Sequence, residues 1–173
     1  MSLLSTILRA LRDAVAPPRT GGTRRPSSKP TTPRTAPAGA YPGDFTGRPV
    51  LRYAPRDDRL ADPGEVVWTW VPYEEDHTQG KDRPVLVIGT DGPWLLALPL
   101  TSQDHDLDAR QEAAEGRYWV DIGSGSWDRE GRASEVRVNR ILRVDPKAVR
   151  RTAGRLSKER FDEVAAEVTK RVR

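Results

Sequence analysis

The sequence predicts a mainly β domain, a small closed or half-closed barrel that carries one C-terminal helix, and three observations predict it. About six short runs of strand character, each bounded by turn residues, succeed one another between Glu65 and Val144. One stretch with helical spacing follows them. At 173 residues the chain holds one ordinary domain and a tail, with no room for a second full domain.

Residues 1–16 place Leu3, Leu4, Ile7, Leu8, Leu11 and Val15 on one face of a helix, with Arg9 and Arg12 on the other. Such a helix rests on its own domain or frays in water, since isolated helices of this length are marginal, or else it docks on a membrane or a partner. Residues 17–43 are a disordered basic linker: seven prolines stand among Thr, Ser, Gly and five positive charges, with almost nothing to bury. Residues 44–62 form an extended arm, and residues 63–173 the barrel domain. In that domain 65–71 is β-branched and aromatic, while 84–89 and 94–100 are continuous apolar runs of strand length. Between the first two lies a polar loop, 73–83, with His77, Thr78, Gln79, Gly80, Lys81 and Arg83. Thr101, Ser102 and Gln103 follow the third run. Further strands are expected at 118–122, 135–138 and 141–144, the first two separated by the Gly-rich loop 123–132. Ser157 is placed to cap a last helix whose apolar stripe is Phe161, Val164, Ala165, Val168 and Val172.

Composition excludes several classes of chemistry. There is no cysteine and there are two histidines, far apart in sequence, so disulfides, cysteine-ligated zinc and a dedicated transition-metal site are not expected. No apolar run approaches the roughly 20 residues that cross a bilayer. A basic segment followed by a cleavable apolar one is also missing, and a cytoplasmic protein is expected. The net charge of +4 conceals three unlike segments: residues 1–43 carry seven basic and one acidic residue, 44–136 ten and nineteen, 137–173 twelve and five. Phosphates would therefore meet the tail or the C-terminal segment rather than the acidic middle.

The order Gly-Glu-Val-Val-Trp (64–68), a polar loop, Gly-x-x-Arg-Pro-Val-Leu-Val (80–87) and Leu-Pro-Leu-Thr-Ser (98–102) resembles the PemK/MazF family of toxins from bacterial toxin–antitoxin pairs. The likeness extends more weakly through Val136-Arg137-Val138-Asn139 to the last helix, whereas the first 62 residues have no counterpart. It implies an SH3-like barrel and a ribonuclease that cuts single-stranded RNA without metal or other cofactor. It also implies a homodimer, a cognate antitoxin that neutralises it, and no DNA binding by the toxin itself. In such a reaction the ribose 2′-hydroxyl attacks its own neighbouring phosphate, so the protein need supply only a base, an acid and positive charge on the phosphorane.

By that resemblance Arg83 is the phosphate-stabilising arginine, its guanidinium fork matching two phosphate oxygens. Thr101 stands at the family's threonine position as a positioning hydroxyl. One branch of the family draws its acid and base from an Arg-x-Asp pair, and here Arg137-Val138-Asn139 occupies that place. An amide takes no proton near neutral pH, so the base is left to His77, whose imidazole is the side-chain type suited to proton transfer. Gln79, Lys81, Ser102, Gln103, Arg137 and Asn139 are expected to contact the RNA. The five tryptophans are mostly core, with Trp127, alone in its Gly-rich loop, the one expected to be exposed for base stacking. His105 lies in an acidic run, 101–116, that repels phosphate, and it is assigned no role. Two other readings stand beside the nuclease: a non-catalytic RNA- or protein-binding module on the same barrel, and an adaptor whose first helix and linker are the working parts.

Overall fold

The computed structural model describes residues 34–35, 41–102 and 113–172. The expected helix at 1–16, nearly all of the 17–43 linker, and Gln103 and His105 with most of their acidic run lie outside the described residues.

Among the described residues eight strands and an α-helix follow in chain order, with a short 3-10 helix (Pro146–Ala148) between the last two strands: β1 (Arg34–Thr35), β2 (Glu65–Pro72), β3 (Gln79–Asp91), β4 (Trp94–Thr101), β5 (Trp119–Gly123), β6 (Ser134–Arg137), β7 (Leu142–Val144), β8 (Arg151–Arg155) and α1 (Lys158–Arg171). All pairings are antiparallel. The sheet runs β5-β6-β4-β3-β2-β8, with β1 added to β3 and β7 to β4. Among the described residues no ladder joins β5 to β8, so the barrel is half open.

Alternation explains why the central strands read as unbroken apolar runs. Val66 on β2, Leu86 and Ile88 on β3, and Leu96, Leu98 and Leu100 on β4 point to one core, which Phe161, Val164 and Val168 of α1 share. Val67 and Val71, Val85 and Val87, and Leu95 and Ala97 point to the other face and cluster there with Leu142 and Val144. Strands apolar on both faces must be covered on both. Ser157 caps α1 as the sequence predicts, its hydroxyl oxygen accepting from the Arg160 amide at 3.3 Å. Residues 41–63, with no strand or helix of their own, bond to the sheet through Phe45 N–H to Ile141 O (2.8 Å) and Arg52 N–H to Ile88 O (3.0 Å).

Three features depart from the sequence reading. β3 begins at Gln79, five residues before the apolar run, because Gly80 to Arg83 pair with Pro72 to Thr69 of β2. The polar loop thereby shrinks to residues 73–78. β8, Arg-Thr-Ala-Gly-Arg, shows no apolar alternation and is a strand because β2 offers it an edge. Trp127 is the third: far from being exposed, it is 4 % accessible and part of the core, its indole N–H donating to Ser134 Oγ at 3.1 Å. The glycines around it make its seat. A Cβ on Gly125 would lie 2.3 Å from the indole ring, so a side chain there would expel the tryptophan.

Candidate functional site

The C-terminal end of β2, the start of β3 and the end of β4 meet at one end of the sheet, and most of the predicted site residues gather there. The loop 73–78 is internally braced. Tyr73 N–H donates to Gln79 O at 2.9 Å, and Asp76 accepts from the Thr78 amide (2.9 Å), the Thr78 hydroxyl (2.6 Å) and Gln79 Nε2 (2.9 Å). Those bonds, Thr78's first among them, hold the Asp76 carboxyl below its usual range. Gln79, expected to contact RNA, thus spends its amide on the loop. His77 lies half-buried, edge-on to the Tyr41 ring at 5.0 Å. At Gly80 a Cβ would sit 2.3 Å from Val71 O and 2.6 Å from the Trp70 ring, so only glycine lets β3 start this close to β2. Lys81 places Nζ 5.7 Å from the centroid of the Tyr73 ring.

Arg83 sits opposite Thr69 of β2, half-buried. Burial depresses its guanidinium pKa; the nearby Arg140 depresses it further, and Tyr73 opposes them. Among the described residues no carboxylate pairs with it. The β3–β4 ladder ends at Val85 opposite Pro99. Arg83 and Thr101 each lie two residues further toward the loop, on the same face of the sheet as that pair. Thr101 is half-buried and pairs with Glu135 of β6; Ser102, also half-buried, follows it.

Arg137 of β6 turns away from the core that its neighbours Val136 and Val138 enter. Yet it is 9 % accessible, and its fork is filled: Nη1 and Nη2 donate to the two carboxylate oxygens of Glu74 at 2.7 and 3.1 Å, and Nε to Asn139 Oδ1 at 3.3 Å. Asn139 is likewise engaged, accepting from the Tyr118 amide at 3.2 Å and donating to Gly116 O. Its side chain ties residues 116–118 to the end of β6.

Sequence reasoning missed the residues that knit this end together. Arg140, 8 % accessible, donates to Asp44 Oδ2 at 2.8 Å and to Pro72 O at 3.0 Å. Asp44 also accepts from the Tyr41 hydroxyl at 2.5 Å, and burial followed by that carboxylate pushes the phenol pKa far up. Glu74 is held below the usual glutamate range chiefly by its Arg137 bonds, with Arg140 assisting and Asp44 opposing. Arg140 therefore lies within electrostatic reach of both Arg83 and Glu74. The adjacent acids Glu74 and Glu75, just ahead of His77, were a visible signal; nothing in the sequence marked Arg140 apart from other arginines. Among the described residues no three His, Asp or Glu side chains converge as a metal would require. Nor is any helix among them long and apolar enough to cross a membrane.

The arrangement can hold an anion: a half-desolvated guanidinium, Arg83, with no carboxylate partner among the described residues, and a hydroxyl-bearing strand end on the same face. Residues 62–171 match the family model described as PemK-like, MazF-like toxin of type II toxin–antitoxin system. No curated protein matches the chain. Among solved structures, MazF of Deinococcus radiodurans is similar at 19 % identity with a TM-score of 0.47, covering 65 % of this chain and 96 % of that one. A MazE–MazF structure from the same organism gives 18 % and 0.45, over 65 % of this chain and 96 % of that one. The family model spans well over half of the sequence, and the chain belongs to the PemK-like, MazF-like toxins of type II toxin–antitoxin systems.

Proposed function

We propose that this protein is a metal-independent endoribonuclease that cuts single-stranded RNA by attack of the ribose 2′-hydroxyl on the adjacent phosphate. It would act in the cytoplasm to inhibit translation and growth, as a homodimer neutralised by a cognate antitoxin. The observation that carries this reading is Arg83, a half-buried guanidinium with no carboxylate partner among the described residues and Arg140 beside it. Arg140 is already neutralised by Asp44, so the unfavourable term is Arg83, a guanidinium partly out of water that an arriving anion would compensate. A phosphodiester passing to a phosphorane gains charge at the moment of reaction, so a fork placed there favours the transition state over the ground state.

Thr101, on the same face, positions the phosphate, and His77 carries one of the two proton transfers. Lys81, Ser102 and Gln103 extend the RNA track, with Gln79, Arg137 and Asn139 bordering it. The antitoxin is supported by family membership and by the existence of a MazE–MazF complex from Deinococcus radiodurans. One observation favours the alternative of a non-catalytic RNA- or protein-binding module: Asn139 is an amide committed to bonds with Gly116 and Tyr118, so it offers no base.

Incubating the purified protein with a mixed RNA pool in EDTA and mapping the ends tests the proposal. Cleavage leaving 2′,3′-cyclic phosphates is expected, with Arg83→Ala slower by about 10²–10³-fold. Binding without a cut across the whole pool would establish the module instead.

A further inference from the structure

If the reaction is this one, it needs a base for the 2′-hydroxyl and an acid for the leaving oxygen, and the one predicted proton carrier, His77, supplies only one of them. We propose that Glu74 is the general base, held in place by Arg137; this rests on the nuclease reading above.

The argument runs from the strand order. β4 lies between β6 and β3, so a contact reaching from the β2–β3 loop to β6 crosses the end of β4, where Thr101 stands. The Glu74–Arg137 pair is that contact, bidentate at 2.7 and 3.1 Å. Arg137 is an anchored arm, 11 % accessible at its side chain and tied by Nε to Asn139, whereas the Glu74 side chain is 53 % accessible. One guanidinium thus fixes both carboxylate oxygens of a side chain that is still half exposed. Glu74 lies on the loop that joins β2 to β3, the strand on which Arg83 stands four residues after its start.

Glu75 is exposed and no arginine among the described residues fixes it; the remaining acids at this end are spent or enclosed. Asp44 is shared by Arg140 and Tyr41. Asp76 braces its loop, Asp82 pairs with Arg150 at 3.2 Å, and Glu135 is only 7 % accessible. Glu74 also replaces what Asn139 lacks, a carboxylate on the Arg137 guanidinium. The step is balanced: the 2′-oxygen bonds to phosphorus as its proton passes to a Glu74 oxygen. The phosphorus–O5′ bond then breaks as O5′ takes a proton from the imidazolium of His77, leaving a 2′,3′-cyclic phosphate and a 5′-hydroxyl.

The test uses the full chain and its Glu74→Gln variant, which keeps the shape of the side chain and one of its two acceptors for Arg137 but cannot accept the proton. Single-turnover cleavage of the mixed RNA pool gives the rate, and binding is read with the same pool carrying 2′-deoxyribose, which cannot react. Glu74→Gln is expected to slow cleavage by about 10²–10⁴-fold while binding is unchanged or tighter, since a negative charge leaves a cationic site. Cleavage at the wild-type rate overturns the assignment. A parallel loss of rate and binding overturns it too, and makes Glu74 a brace for Arg137. If the wild-type chain cuts nothing, the nuclease reading itself falls; if it cuts in an Arg83-dependent way and Glu74→Gln is no slower, only the role of Glu74 falls.

Discussion

A half-desolvated guanidinium without a counter-ion is a cost to the folded chain, and at Arg83 that cost has a checkable sign. Arg83→Gln is expected to leave the melting temperature unchanged or raise it slightly, while RNA cleavage is lost; a marked drop in melting temperature would give Arg83 a structural role instead. Arg140 differs, because its charge is shared with Asp44 and its N–H groups with Pro72 O. Removing it strands a carboxylate, and Arg140→Ala should be strongly destabilising in chemical denaturation, by about 3–5 kcal/mol. Glu74 brings a pH dependence. Its carboxyl is held below the ordinary value of 4.5, chiefly by Arg137, so the bridge contributes stability above that value and loses it as the pH falls through the depressed pKa. Because Glu74 is half exposed, the contribution is on the order of 1 kcal/mol or less. The melting difference between wild type and Glu74→Gln should therefore be small near neutrality and close in acid; a gap that widens in acid would contradict the pairing.

At the scale of elements, the β2–β3 loop and the 123–132 loop teach opposite lessons. The first was legible as a polar segment carrying candidate site residues, because its chemistry lies in residue types: His77, Lys81 and Arg83 announce themselves. What was not legible is that Asp76 spends Gln79 on bracing the loop, or that Glu74 reaches β6, since both depend on where the chain turns. The second loop, rich in Gly and Ser, reads as solvent-exposed, yet Gly125 has no side chain so that the Trp127 ring can lie against its backbone. Trp127→Phe, which leaves the Ser134 hydroxyl without its donor, is expected to cost about 1–3 kcal/mol in denaturant unfolding, where a surface tryptophan would cost nothing measurable. β8 belongs with these cases, a strand by virtue of the β2 edge.

For the whole molecule, half-open closure gathers the candidate site residues at one end. β2 and β3, β4 and β6 bring their loop-side ends together, while α1 and the doubly apolar strands keep the core elsewhere. Removing residues 1–30 is expected to leave both melting temperature and RNA cleavage unchanged. Removing 1–45, which takes away Tyr41, Asp44 and Phe45 with their bonds to Arg140 and Ile141, should lower both. The sequence by itself determined the β class, the capped last helix and the family, because periodicity, caps and residue order are local properties of the chain. It also singled out Arg83 and Thr101, through a motif. Only the tertiary structure decided which charges are neutralised and which are left open: that Arg137 is occupied by Glu74, Arg140 by Asp44, and Arg83 by no described carboxylate. Ion pairing depends on distances between residues dozens of positions apart, and no local pattern encodes those distances.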